Sequence, residues 1–167
     1  MKLSAKTISY CAILIALSVL LRKFLTIPLP AGVLNFGGFP IILAGLMMGP
    51  AAGALTGALS DIAGAAIAPH GPYIPFFTIT SAITGIIPPV IVKFFPQKDR
   101  SSFPAALAAA GAAQIATKIL MIPFIMQFCF GIPAEIYMVK SIAAEIIHIP
   151  AYAFFSHEII KALNRRK

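Results

Sequence analysis

Long apolar blocks alternate along the chain with short segments that contain proline, glycine or charged residues. Six apolar blocks cover residues 8–27, 33–49, 51–68, 72–95, 103–130 and 139–163. The hydrocarbon core of a bilayer is about 30 Å thick, so a helix that rises 1.5 Å per residue needs about 20 apolar residues to cross it. The pattern predicts an all-α integral membrane protein, a compact bundle of six transmembrane helices that forms a single domain over residues 1–167.

The composition agrees with this prediction. Hydrophobic residues make up 59% of the chain and charged residues only 11%, whereas soluble domains carry about 25% charged residues. This balance excludes a soluble enzyme, a disordered tail and a nucleic-acid-binding domain. The opening segment is interpreted as a retained first helix rather than a signal peptide, because further apolar blocks follow it.

Basic residues indicate the orientation in the membrane. Six spans place both termini on one side, and nine of the 13 Lys and Arg residues then lie on that side, against Arg22, Lys23 and Lys140 on the other. Cytoplasmic loops carry the excess of Lys and Arg in membrane proteins. We therefore expect a multi-pass protein of the cell membrane with both termini in the cytoplasm.

The chain contains no motif that indicates catalysis. HExxH, GxSxG and a Walker A lysine are all absent from the sequence. We therefore expect neither an enzyme nor a cofactor, and any energy from ATP has to come from another polypeptide. Glu145 and His148 form an ExxH pair, but a metal site of that type needs further carboxylates from other helices, so no metal is predicted.

Ionisable side chains inside the apolar blocks are the first candidates for function. Asp61, Lys118, Glu145 and His148 lie within the predicted spans, where charged groups are costly and usually face a cavity or one another. We expect these four residues to converge. The alternative is an internal ion pair of Lys118 with Asp61 or Glu145 that only locks the bundle.

The outer loops supply a second set of candidates, among prolines that restrict the backbone. A guanidinium can hold a carboxylate through two hydrogen bonds, and a loop that combines an amide, aromatic rings and an imidazole is suited to a ligand. These candidates are Arg22, Asn35, Phe36, His70, Tyr73 and Phe76.

Small residues spaced by four are dense in the second and third blocks, where they allow helices to pack closely in lipid. The first block has one such pair, Ala12 and Ala16, surrounded by bulky Ile and Leu. This notch is expected to receive a partner helix.

Three stretches together resemble a known family. FGGFPIILAGLMMGP (residues 36–50), SDIAGA (60–65) and PHGPYIPFFT (69–78) are similar to the substrate-binding S components of energy-coupling-factor (ECF) vitamin transporters, and most of all to their folate family. The resemblance implies that a vitamin is bound from outside and delivered through a transmembrane coupling protein and two ATPase subunits. It also implies that Ala12 and Ala16 contact the coupling protein, and that the outer loops and later helices build the vitamin pocket.

Folate is a flat pterin joined to a benzoate ring and a glutamate dicarboxylate. Its site needs an acid or amide for the pterin, aromatic walls, and cations for the carboxylates. The candidates for these roles are Asp61 or Glu145, Tyr73 or Phe76, and Arg22 or Lys118.

Three other interpretations stay open at this point. The chain could be an S component for another carboxylated vitamin, such as pantothenate or biotin. It could be a stand-alone proton-coupled carrier in which Asp61, Glu145 and His148 form the relay. It could also be a structural membrane protein whose polar groups only pair internally.

Overall fold

The computed structural model describes residues 4–29, 32–67 and 73–165. Within these ranges the chain is helical apart from one β-hairpin, as the hydrophobic pattern predicts. The elements in chain order are α1 (Ala5–Phe24), β1 (Thr26–Leu29), β2 (Gly32–Asn35), α2 (Gly38–Met48), α3 (Pro50–Ile67), α4 (Pro75–Val92), a 3-10 turn (Gln97–Asp99), α5 (Phe103–Gln114), a π-helical segment (Ile115–Met121), α6 (Ile122–Phe130) and α7 (Ala134–Asn164).

The helices differ in their ability to cross a membrane. Four of them are long and apolar enough by length and composition, namely α1, α4, the continuous rod Phe103–Phe130 formed by α5, the π segment and α6, and α7. In contrast, α2 has 11 residues and a length of about 17 Å, which is shorter than a bilayer core. The bundle thus has six helical rods in the described residues, while six spans and cytoplasmic termini stay predictions.

The structure corrects the end of the first predicted helix and the start of the second. Helix α1 ends at Phe24, and residues 26–29 and 32–35 form two antiparallel strands in which Thr26 lies opposite Asn35. A proline at position 28 cannot donate a helical hydrogen bond, and the β-branched Thr26 and Ile27 suit a strand. The Thr26 hydroxyl also donates to the main-chain carbonyl of Arg22, which fixes the hairpin on the end of α1.

Glycine residues bring α2, α3 and α4 into main-chain contact. A Cβ atom on Gly45 or Gly53 would collide with the carbonyl oxygen of Gly85, and a Cβ atom on Gly85 would collide with that of Gly53. Gly57 faces the carbonyl oxygen of Ser81 in the same way. The small residues of the second and third blocks therefore pack this bundle, as their spacing predicts.

The hydrophobic core lies between α1, α2, α5 and α7. Ile42 of α2 and Ala110 of α5 are fully buried, and Tyr152 of α7 lies among them with Leu14 of α1 and Phe39. Alanines on one side of α5 allow α7 to approach closely. This packing fixes α7 beside the start of α2, where the candidate site is found.

The contact between Gly53 and Gly85 predicts the effect of a single methyl group. Gly85→Ala should lower the free energy of unfolding by about 1–3 kcal/mol, because the added carbon has no space between α3 and α4. The measurement is thermal unfolding of the purified protein in detergent. Gly111→Ala is the matched control, because the added Cβ meets only one atom of Ile149, at an ordinary contact distance of 3.7 Å. This variant should be more stable by about 0.5–1 kcal/mol, since alanine favours the helix over glycine. Equal melting temperatures for the two variants would contradict the close packing.

Candidate functional site

Polar side chains collect at one end of the bundle, which carries the hairpin, the start of α4 and the connection from α6 to α7. From there they extend to the middle of the rod Phe103–Phe130 and of α7. Two hydrogen-bonded networks can be distinguished, one centred on Asp61 and the other on Glu145. Lys118 interacts electrostatically with the central carboxylates of both networks.

The Asp61 network connects α1, α3 and α4. Arg22, in the last turn of α1, donates from Nη1 to Oδ1 of Asp61 at 3.1 Å. The hydroxyl of Thr78 donates to Oδ2 at 2.8 Å, and the Tyr73 hydroxyl lies 2.7 Å from that of Thr78. Both oxygens of this partly buried carboxylate are thus engaged.

Gly64 gives the Arg22 guanidinium its place on α3. It lies one turn after Asp61, and a Cβ atom there would stand 3.3 Å from Nη1 of Arg22 and 3.7 Å from its Cδ. A larger side chain would push the guanidinium away from the carboxylate. Gly64 therefore positions the Arg22 side chain. Its spacing in the sequence predicts only a role in helix packing.

The Glu145 network lies in the buried interior between α5 and α7. Gln114 donates from Nε2 to Oε2 of Glu145 at 2.9 Å, and Nδ1 of His148 lies 3.1 Å from Oε1. The other ring nitrogen of His148, Nε2, lies 3.1 Å from the main-chain nitrogen of Asn35. Because that N–H can only donate, Nε2 accepts, and in the neutral ring Nδ1 carries the hydrogen that it donates to Glu145.

The segment from Asn35 to Gly37 is held from two sides. From α7, the Tyr152 hydroxyl donates to the Asn35 carbonyl oxygen at 2.8 Å, so both main-chain groups of Asn35 are bound to that helix. From α1, the Ser18 hydroxyl donates to the Gly37 carbonyl oxygen at 2.6 Å. The Asn35 side chain accepts from the Gly37 N–H at 3.0 Å, which forms the tight turn before α2.

Three rings stand above this turn. The imidazole of His148 stacks on Tyr152 with centroids 5.3 Å apart and planes 27° apart. Phe36 meets His148 edge-on at 5.8 Å and Tyr152 at 6.1 Å. These separations are typical of favourable aromatic pairs, and they provide aromatic walls beside Glu145.

Lys118 lies in the π segment, within electrostatic range of Arg22, Glu145 and Asp61. Among the residues that the structure describes, none forms an ion pair with it. The alternative that Lys118 is locked by Asp61 or Glu145 is therefore wrong for the described structure. Those carboxylates are bound instead by Arg22 and Thr78, and by Gln114 and His148.

The π segment itself follows from the sequence around it. Pro123 stands just after it and has no N–H to donate to the carbonyl four residues earlier, and a wider helical turn accommodates that loss. Such π-helical interruptions occur frequently at functional sites. Here the segment carries Lys118, while Thr117 is fixed by its hydroxyl to the Ala113 carbonyl at 2.7 Å.

An apolar groove of about 290 Å³ runs between the π segment and α7. Isoleucines, Pro150 and Glu145 line this groove. Its volume is just below the range for small-molecule pockets, about 300–1,000 Å³.

The structure brings together most, though not all, of the candidates. Arg22, Asp61 and Tyr73 share one network, and Asn35, Phe36, Glu145 and His148 share the other. Phe76 is half exposed and belongs to neither network, so its role in the site stays a prediction. His70 lies outside the described residues. Ala12 and Ala16 are exposed on α1.

Sequence reasoning missed Ser18, Gly64, Thr78, Gln114 and Tyr152. A signal existed for two of them. Tyr152 lies one turn after His148 on the same helix face, and Gln114 is a lone amide in an alanine-rich helix. Ser18 and Thr78 carry no such signal, since hydroxyls are common in membrane helices and usually bond to their own helix.

Comparisons with known proteins agree with this architecture. The family model of the ECF-type riboflavin transporter S component matches residues 2–165. Folate transporter FolT of Clostridium novyi (strain NT) is 30% identical to this chain over 156 residues, which are 93% of this chain and 88% of that protein.

Two solved structures share the fold. The crystal structure of FolT bound with folic acid has a TM-score of 0.76 at 19% identity, and the match covers 93% of this chain and 92% of that one. A structure of the S component of a bacterial ECF transporter has a TM-score of 0.67 at 20% identity, covering 95% and 97%. At these identities the matches establish the fold.

The hydrogen bond from Tyr152 to Asn35 predicts a measurable contribution to stability. Tyr152→Phe keeps the ring stack and removes the hydroxyl, so the free energy of unfolding should fall by about 1 kcal/mol or somewhat more, because the Asn35 carbonyl loses its donor. Thermal or denaturant unfolding in detergent measures the change. Tyr10→Phe, at an exposed position of α1, should leave stability unchanged. If Tyr152→Phe did not change the free energy of unfolding, the hydrogen bond to Asn35 would not stabilise the turn before α2.

Proposed function

This chain belongs to the family of S components of ECF-type riboflavin transporters, and from that premise we propose that it binds folate from outside the cell. As a member of this family it is a transport protein of the prokaryotic plasma membrane, and it has a folate transporter among its relatives. Its own substrate is inferred below from the charges and rings of the two networks.

The Lys118 side chain, with which no described carboxylate forms an ion pair, is the observation that carries the proposal. A cation at this depth of a membrane protein is costly unless an anion or a polar cavity receives it, and no described acidic residue pairs with it. Arg22 interacts electrostatically with Lys118 and uses one guanidinium nitrogen to donate a hydrogen bond to Asp61. Two basic side chains that interact electrostatically suit a ligand with two carboxylates, and the glutamate end of folate has two.

The ring system of folate has a counterpart in the second network. Phe36, His148 and Tyr152 offer aromatic faces and edges within about 6 Å of one another, next to the buried carboxylate of Glu145. Flat heterocycles bind in such apolar pockets with a few fixed polar groups. The site thus supports a ligand with rings at one end and negative charge at the other.

Riboflavin is the second candidate, because the matching family model describes riboflavin transporters. Its ring system would fit the same aromatic walls. Riboflavin has no carboxylate, however, and would leave Lys118 without an anionic partner. Pantothenate and biotin each carry one carboxylate but lack an extended flat ring system.

Delivery across the membrane is proposed to require a partner assembly. In this proposal the chain crosses the membrane six times and has cytoplasmic termini, with the short α2 buried among the longer rods. Helix α1 docks on a coupling protein associated with two ATPase subunits. Ala12 and Ala16 are exposed on α1 beside the exposed Ile13 and Leu20, so a shallow notch faces away from the bundle. Small residues of this kind allow a second helix to approach closely.

Removal of the Lys118 charge tests the substrate proposal. We expect the purified protein to bind folic acid in calorimetry, and Lys118→Met to weaken that binding by about 10–150-fold, because a charge-assisted hydrogen bond contributes roughly 1.5–3 kcal/mol. Lys6→Met, at an exposed position of α1, is the matched control and should bind as tightly as the unaltered protein.

Other ligands distinguish the alternatives in the same experiment. If the protein bound riboflavin tightly and did not bind folic acid, riboflavin rather than folate would be its substrate. If the chain bound none of folic acid, riboflavin, pantothenate and biotin, and alone accumulated a solute in liposomes under a pH gradient, it would be a proton-coupled carrier.

Replacement of the small residues of α1 tests the docking proposal. Ala12→Leu together with Ala16→Leu should leave folic acid affinity unchanged and abolish co-purification with the coupling protein, because the notch is filled while the site is untouched. Ala162→Leu, at an exposed position of α7, should retain both properties. Loss of ligand binding in the α1 variant would mean that the notch packs this bundle instead.

A further inference from the structure

Gln114 differs from the other buried polar residues because its amide oxygen accepts no hydrogen bond from the described residues. It is fully buried at the end of α5, and its Nε2 donates to Glu145. Its Oε1 has no hydrogen-bond partner among the described residues. Amide groups of this kind are normally satisfied in protein interiors.

The other unpartnered buried atoms of the described chain are explained more simply. They are the hydroxyls of Thr56, Ser60 and Ser156, and a helical hydroxyl can turn toward the carbonyl of the preceding turn. An amide oxygen only accepts, and the N–H groups of surrounding helices are used within those helices. Gln114 therefore needs a donor from a side chain, an internal water molecule or a ligand.

The neighbourhood of Gln114 indicates what such a donor looks like. The amide nitrogen is committed to Glu145 at 2.9 Å, and the other carboxylate oxygen takes the His148 N–H at 3.1 Å. What remains free for a ligand is a set of acceptors, namely Oε1 of Gln114 and the spare lone pairs of the carboxylate. Adjacent acceptors match a ligand edge with adjacent N–H donors.

We propose that Gln114 is a specificity-determining residue that accepts a hydrogen bond from the amino-substituted edge of a nitrogen heterocycle bound beside Glu145. The inference rests on the proposed function, since the pterin ring of folate presents such an edge in its 2-amino group and N3–H. Riboflavin presents a single N–H between two carbonyls and has no amino group there. The site would thus select between the two ring systems by hydrogen-bond pattern as well as by charge.

An internal donor is the competing explanation. Lys118 follows Gln114 by four residues and could turn its ammonium to Oε1. In that case Gln114 would only position a cation, and its loss would weaken all ligands by the same factor. The two explanations therefore differ in selectivity between ligands rather than in affinity alone.

The test compares folic acid with its 2-desamino-2-methyl analogue by calorimetry. The unaltered protein should prefer folic acid by about tenfold or more, as expected for one buried hydrogen bond lost with an acceptor left unpaired. Gln114→Met keeps the length of the side chain and should weaken folic acid about tenfold while the analogue binds within about twofold of its original affinity. Ser156→Ala, at a buried position outside both networks, should retain the preference.

Each result has a defined meaning. Equal losses for both ligands in Gln114→Met, or no loss for either, would overturn the inference and leave the folate proposal standing. Equal binding of both ligands by the unaltered protein would overturn it without any variant, which covers a failure of Gln114→Met to fold. If the unaltered protein binds no folic acid, the folate proposal and this inference both fail.

Discussion

The carboxylate of Glu145 organises the site from the buried middle of α7. It takes hydrogen bonds from Gln114 and from the imidazole of His148, and the second of these sets the tautomer of the ring. The opposite nitrogen of His148 is thereby left as the acceptor for the main-chain N–H of Asn35. A group deep in the bundle thus determines how the turn before α2 is held, because each polar group in this region has few alternatives to its present partner.

This arrangement needs a rigid support, and the glycines of α2, α3 and α4 supply it. Main-chain contact at Gly45, Gly53 and Gly85 leaves no space for side chains between those helices. The Asp61 network is built on two of these closely packed helices, α3 and α4, together with α1. The Glu145 network lies apart from it, between α5 and α7.

Charge is what separates the candidate substrates. The Asp61 and Glu145 networks satisfy their own carboxylates, while Lys118 stands within electrostatic range of both and pairs with no described acid. Aromatic walls alone would suit riboflavin and folate equally. In the proposed function, Lys118 distinguishes folate, which has carboxylates, from riboflavin, which has none, because a charged group in the membrane interior needs an ionic partner.

The sequence by itself determined the helical membrane fold, the small-residue packing, the family resemblance and most candidate residues. These follow from local properties, because the length of an apolar block and the cost of an ionisable residue in lipid are readable at each position. It failed at residues 26–29 and 32–35, where an apolar stretch is equally compatible with a helix or a strand. It also could not assign partners. Only the tertiary structure decided that Asp61 binds Arg22, that Glu145 binds Gln114 and that neither of these carboxylates pairs with Lys118, because these choices depend on distances between helices far apart in the chain.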